Sequence, residues 1–197
     1  VLSGRVKDAA GAIGFDATGI CDLHPIERAA LHDWLERGYA GSMRYLHRQA
    51  ARRQEPERIV PGSCRAVVVL KNYFQRDPIG DKPLGRVARY AWGEDYHRVL
   101  GRKLKELRDR LSAWLPDEQF VVYVDTGPVM EKVWAARAGL GYVGKNGCFI
   151  TERFGSWVVL AVAFLDRVVE GELAGPAPDR CGACSLCVGA CPTGAIL

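Results

Sequence analysis

Apolar residues near the start of the chain recur at helical spacing. A second helix is signalled by Pro25 followed by Ile26, Ala29, Ala30, Leu31, Trp34 and Leu35, with Gly38 as its stop. Ala66 to Leu70 is an unbroken apolar run of strand length, and Val87 to Trp92 and Phe120 to Val124 read as further strands. From Asp95 to Trp114, Val99, Leu100, Leu104, Leu107 and Leu111 return to helical intervals, and Pro116 ends the helix. Another helix is expected from about Val129 to Ala138, closed by Gly139. Cys148 to Thr151 and Trp157 to Leu165 flank a short turn at 152–156, which predicts a hairpin. Helices and strands are intermixed with at least one antiparallel neighbour pair, so the expected class is α+β. Residues 1–168 are expected to form one domain, followed by a linker rich in Pro, Gly and Ala and then a cysteine run, together 169–197.

With 197 residues, 48% of them hydrophobic and 25% charged, the chain can bury one good core, and disorder is excluded. The longest apolar runs fall far short of the ~20 residues that cross a bilayer. No charged-then-apolar leader opens the sequence, so a cytoplasmic protein with no membrane partner, and a monomer, is expected. The chain opens on Val1 and stops shortly after Cys191, which suggests a fragment. Net charge is only +4, but cations are uneven: Arg44, Arg48, Arg52, Arg53 and Arg58 crowd one stretch, and Arg98, Arg102, Lys103, Lys105, Arg108 and Arg110 another. Each is either a phosphate-neutralising surface or a solvated helix face.

Of the seven cysteines, Cys21, Cys64 and Cys148 stand alone and read as small buried hydrophobes. The other four form Cys181-x2-Cys184-x2-Cys187-x3-Cys191-Pro192, the spacing that wraps thiolates around a [4Fe–4S] cubane. A structural zinc site splits its ligands into two pairs across a longer loop, so iron–sulfur is the better reading. Cys191 either completes this cluster or waits for a second run beyond Leu197; the continuation Thr193-Gly194-Ala195-Ile196 favours the second. Because a cluster relays single electrons, the residues before it are expected to hold a partner redox centre.

The stretch Val124-Asp125-Thr126-Gly127-Pro128-Val129-Met130-Glu131-Lys132, followed by Ala138-Gly139-Leu140-Gly141-Tyr142-Val143-Gly144-Lys145-Asn146, resembles the epoxyqueuosine reductase family. Gly41 to Leu46, Arg89 to His97, the Gly155-Ser156 turn and the cysteine run fall in the same order as in that family. The resemblance implies a cobalamin in a nitroreductase-like α+β domain beside two [4Fe–4S] clusters. It also implies an enzyme that reduces epoxyqueuosine to queuosine at the wobble position of tRNA, drawing on an unidentified electron donor. The family's second cysteine run and its C-terminal helical-repeat tRNA-binding region have no counterpart in these residues. A reductive dehalogenase-like corrinoid protein and a plain electron carrier are the alternatives.

The resemblance places a proton donor at Asp125, which a dry pocket would suit to general-acid work; the plainer reading is a cap on the next helix. Tyr96 would face the same pocket, or serve as a core aromatic. Gly144, Lys145, Asn146 and Phe149 are implied cofactor contacts, the alternative being a plain loop before a strand. Arg48 could reach a corrin side chain or phosphate, or be surface charge. His97 is a poor cobalt ligand, because Asp95-Tyr96-His97 is followed by Gly101, one place too late for the Asp-x-His-x-x-Gly corrinoid motif.

Overall fold

The computed structural model describes residues 2–76, 85–116, 120–166, 169, 171 and 173–196. In chain order these form α1 (Leu2–Ile13), β1 (Ala17–Asp22), α2 (Arg28–Glu36), α3 (Arg44–Arg48), α4 (Ala50–Gln54), β2 (Arg65–Asn72) and α5 (Tyr96–Ser112). There follow β3 (Phe120–Tyr123), α6 (Glu131–Arg137), β4 (Tyr142–Val143), β5 (Phe149–Ile150), β6 (Val158–Leu165) and α7 (Leu186–Ala190).

Four strands make one sheet in the order β1-β2-β6-β3, every neighbour antiparallel. The run Ala66 to Leu70 is apolar throughout because both faces of β2 are covered. Val67 and Val69 point into a core with Val6, Ala10, Leu100, Leu104, Leu107 and Leu111 of α1 and α5. Ala66 and Val68 join Trp134, Ala135 and Ala138 of α6 on the other side, with Phe164 of β6. The architecture is thus helix, sheet, helix, an α+β fold. Alternation along a strand sends successive side chains to opposite layers, so each layer claims every second residue.

α5 keeps the predicted span closely. The Asp95 carboxylate accepts the His97 N–H at 2.9 Å as N-cap, and the leucines at 100, 104, 107 and 111 are each 1% exposed. Each buried leucine contributes about 1.5–3 kcal/mol relative to an exposed one. α2 and α6 also fall where expected, and Gly139 (φ 74°) ends α6 in the left-handed conformation that helix termini favour. The close approach there is structural as well: a Cβ on Gly139 would lie 2.8 Å from the Ala174 Cβ. The described residues between 169 and 180 carry no regular secondary structure, but Val169 is 1% exposed and Leu173 packs on the α1–α5 core.

Two expectations give way. Val87 to Trp92 is a 3-10 turn at Arg89–Ala91 rather than a strand, with the Trp92 indole donating to the Val87 carbonyl at 2.9 Å. Among the described residues no ladder partner faces it, and alternation without a partner does not make a strand. The predicted hairpin is also replaced. β5 pairs with β4, only a single bridge joins Thr151 to Gly155, and β6 runs between β2 and β3. β6 can bury both faces there, which pairing with the two-residue β5 would not allow.

Candidate functional site

Where β3 leaves the sheet, the chain turns sharply at Asp125. Its φ is 56°, the one positive value outside glycine among the described residues, and the Thr126 N–H donates to the Val124 carbonyl at 2.5 Å across it. This is a positive-φ γ-turn, a strained conformation that aspartate tolerates better than most residues. Such strain marks a position set by its surroundings and is a pointer to function.

The turn presents the Asp125 carboxylate to Tyr96, in the first turn of α5. The phenol donates to Asp125 Oδ2 at 2.5 Å, and His97 Nε2 lies 3.6 Å from the same oxygen. His97 is itself held by Asp95 at 2.7 Å and stacks on Tyr96 with ring centroids 4.0 Å apart. Burial, then the hydrogen bond to Asp125, push the Tyr96 phenol above its ordinary 10.0, so it remains a donor at neutral pH. Asp125 does not cap the following helix: α6 starts at Glu131 with Met130 as N-cap and no side-chain cap bond. The Gly127-Pro128 turn carries the chain too far for that. Nor is Asp125 in dry surroundings, since its side chain is 64% exposed.

The dry carboxyl is its neighbour. Asp125, Glu131 and Tyr96 line one cavity of about 240 Å³, floored by Val158, Leu160 and Phe149. Burial, reinforced by the Asp125 charge, raises the Glu131 carboxyl to about 7 from 4.5, and its Oε1 is buried without a hydrogen-bond partner. Glu131 was not singled out in the sequence. Its signal was faint: a glutamate in the first turn of a helix ordinarily reads as a favourable dipole contact.

The sequence-derived contacts separate on the structure. Phe149 reaches the cavity, whereas Arg48, exposed in the last turn of α3, does not line it. Gly144 and Asn146 build a tight turn instead: the Gly144 N–H donates to the Cys148 carbonyl at 2.9 Å, and Asn146 Oδ1 accepts the Cys148 N–H at 3.0 Å. From α6, Lys132 anchors that turn by donating to the Gly147 carbonyl at 2.7 Å. The Lys145 ammonium leaves it to meet the carbonyls of Gly182 and Cys184 at 2.8 and 2.9 Å. Of the lone cysteines, Cys21 is buried and its thiol is pushed up to about 11. Cys148 departs from the buried reading: it is exposed and lines the cavity, because the turn that fixes its N–H leaves the side chain outside the core.

Cys181 and Cys184 precede α7, Cys187 lies within it and Cys191 is its C-cap, none of them fully buried. Thr193 and turn N–H groups hold the Cys191 thiol down at about 7, toward the thiolate that iron requires. Among the described residues no group of three or more His, Cys, Asp or Glu side chains forms a ready-made metal cage. Four thiols at this spacing nonetheless form the donor set of a cubane, and such loops close as the metal binds.

The basic stretch on α5 is largely self-neutralised. Arg102 pairs with Glu94 at 2.6 and 2.9 Å, Lys105 with Asp109 at 2.8 Å and Arg110 with Glu106 at 2.6 Å, while Lys103 donates to the Ile13 carbonyl. In the other stretch Arg53 donates to the Val129 carbonyl at 3.1 Å and Arg58 pairs with Glu55. Among the described residues, Arg44, Arg48 and Arg52 form no ion pair.

Comparison with known proteins gives likenesses of sequence and of fold. Residues 53–126 match the family model described as Epoxyqueuosine reductase QueG, DUF1730, and residues 177–197 match a 4Fe-4S binding domain. An epoxyqueuosine reductase of Gloeobacter violaceus is 41% identical across 98% of this chain and 60% of its own length. The crystal structure of an epoxyqueuosine reductase with an epoxyqueuosine-modified tRNA-Tyr stem loop superposes with a TM-score of 0.84 at 29% identity, over 99% of this chain and 52% of that one. A catabolic reductive dehalogenase superposes at 0.53 with 18% identity, over 94% of this chain and 23% of that one, a likeness of fold alone. The chain thus spans between half and two thirds of the length of the epoxyqueuosine reductases it matches. No described helix is long and apolar enough to cross a membrane. Over the region it spans, this chain is similar to the epoxyqueuosine reductases in both sequence and fold.

Proposed function

We propose that this chain is the substrate-reducing region and first iron–sulfur motif of an epoxyqueuosine reductase, acting in the cytoplasm as a monomer on tRNA. The observation that carries the reading is the strained Asp125 turn, with its carboxylate held by Tyr96 at the mouth of a cavity whose inner wall bears a second, proton-holding carboxyl. Converting an epoxide to an alkene breaks both C–O bonds, takes up two electrons and two protons, and releases water. Electrons without proton delivery would leave an alkoxide that cannot depart.

Tyr96 keeps its own proton and orients Asp125. Glu131, which titrates near neutrality, holds one proton within the cavity, and Asp125 relays it to the departing oxygen; the second proton comes from water at the exposed mouth, where Asp125 lies. Cobalamin, when bound, would supply reducing electrons at cobalt in this nitroreductase-like domain. The cavity is smaller than the roughly 300–1,000 Å³ that encloses a drug-sized ligand, so these residues would hold one edge of it. The unpartnered Oε1 of Glu131 and the apolar floor at Phe149 and Val158 suit such an edge. Cys181, Cys184, Cys187 and Cys191 would ligate [4Fe–4S] iron, fed by an electron donor yet to be identified. Arg44, Arg48 and Arg52, which form no ion pair among the described residues, are the candidate tRNA phosphate contacts. The dehalogenase alternative retains a likeness of fold only, and a plain electron carrier has no use for a strained acid at a cavity mouth.

The test is Asp125→Asn in the full-length enzyme, assayed on tRNA carrying epoxyqueuosine. Corrin and cluster absorbance should persist while turnover falls by about 10²–10⁴-fold. Near wild-type conversion would remove Asp125 from the chemistry. Failure of the loaded wild-type enzyme to convert that tRNA would overturn the functional reading itself.

A further inference from the structure

Lys145 is an exposed lysine that behaves unlike one. Such a side chain ordinarily keeps its rotamers free, and immobilising it costs conformational entropy. Here its Nζ lies within hydrogen-bond distance of two main-chain carbonyls, those of Gly182 and Cys184, 37 and 39 residues further along the chain. Both belong to the loop between the first two cysteines of the run. The base of the side chain is equally constrained. A Cβ on Gly144 would lie 2.7 Å from Ile150 Cδ1 and 3.6 Å from the Cys181 Sγ, so the turn is pressed against the cysteine run at that point. Lys132 secures the same turn from α6, beside the cavity. A second tie, between Arg180 and Glu152 at 3.1 Å, is exposed on both sides and joins side chains only.

We infer that Lys145 is a positioning residue for the iron–sulfur loop, one that sets the main-chain path from Gly182 to Cys184 and keeps a fixed positive charge beside the cluster. The consequence is electrostatic as well as geometric. Reduction adds one electron from an external one-electron donor to the cluster, with no bond made or broken and no proton taken up, so the cluster becomes more negative by one charge. A nearby cation stabilises that state more than the oxidised one and raises the reduction potential. Lys145 therefore favours electron entry into the cluster, and it does so from a turn physically continuous with the substrate cavity. The inference rests on the cysteine run holding a [4Fe–4S] cluster, not on the identity of the substrate.

The experiment uses full-length, anaerobically loaded protein with Lys145→Met, which keeps the length but has neither donor nor charge, and Lys145→Arg, which keeps the charge. Iron and sulfide content of the wild type checks the cluster itself, independently of Lys145. Redox titration with dithionite should show a lower cluster potential for Lys145→Met and a near wild-type one for Lys145→Arg. Amide hydrogen exchange should quicken in residues 181–187 of Lys145→Met while the α5 amides stay protected. Wild-type exchange in Lys145→Met would overturn the positioning role, and a wild-type potential would overturn the electrostatic one. Loss of the cluster with α5 still protected would support positioning.

Discussion

The layered region up to Leu165 and the cysteine run after Asp179 are held together by different physics. In the first, buried side chains lie on both faces of a four-stranded sheet, and helix and strand periodicities agree with the layers they meet. In the second no described residue is buried, and Leu186 of α7 is 82% exposed. Among its described residues the one helix is five residues long, too short to stand by itself in water. Hydrophobic burial can fold the first region without help, whereas the second needs metal, or a partner surface, for its stability. The Asp125 turn sits on the packed frame, and the cysteine loop is tied to that frame through the Lys145 ammonium rather than through a core of its own.

The sharpest way to break the comparison is to remove the metal. Cys184→Ser should abolish most of the cluster, read as iron and sulfide per chain, yet leave the main thermal transition of the layered region in place. Wild-type iron content would reject the ligand assignment, and zinc in its place would reject iron–sulfur. Collapse of the whole chain would show that the two regions are one folding unit.

The converse experiment attacks the core. Leu104→Ala, at a position 1% exposed between α5 and the sheet, should destabilise the layered region by about 2–5 kcal/mol in urea denaturation, with or without iron. Equal loss in both states would confirm that the core does not depend on the cluster.

Glu131 sharpens the contrast inside the layered region. Its carboxyl titrates at about 7 in the fold against 4.5 when unperturbed, so the unfolded chain releases the proton first as pH rises. The contribution of Glu131 to stability should therefore be most favourable below about pH 4.5, fall between there and 7, and level off above. Glu131→Gln should remove that fall and stabilise the protein above neutrality by on the order of 2 kcal/mol, measured as melting temperature against pH. An unchanged pH profile would place the carboxyl in water.

The smallest effect belongs to the surface. Arg48→Glu should flatten the salt dependence of tRNA binding by about one unit of log–log slope per lost phosphate contact. Arg102→Glu should leave that slope alone, because Arg102 is already engaged by Glu94. Equal flattening by both would return α5 to the nucleic-acid surface.

Much of this molecule could be read from local pattern. The span of α5 followed from four leucines and an N-capping aspartate, the strand at Ala66 from its apolar run, and the metal donors from spacing alone. For α5 the deciding interactions lie within a few residues of one another along the chain, whereas the Ala66 run only announces a strand whose ladders to β1 and β6 are distant in sequence. Ala17 to Asp22 carried no such signal. Short and interrupted by Gly19, it becomes β1 because β2 offers it a ladder, a pairing across some fifty residues.

The site was legible to the same degree. Family motifs pointed to Asp125, Tyr96 and the Gly144 to Asn146 turn, but not to how they act. That Tyr96 grips Asp125 from 29 positions away, that the proton-holding carboxyl is Glu131, and that Lys145 reaches the cysteine run 37 positions on were decided by tertiary structure. The cysteine spacing, the helical periodicities and the buried-strand run were determined by the sequence itself, since contacts close along the chain need no other part of the fold. Desolvation, strain and long-range hydrogen bonds exist only once distant segments have met, and they alone set the chemistry of Asp125, Glu131 and Lys145.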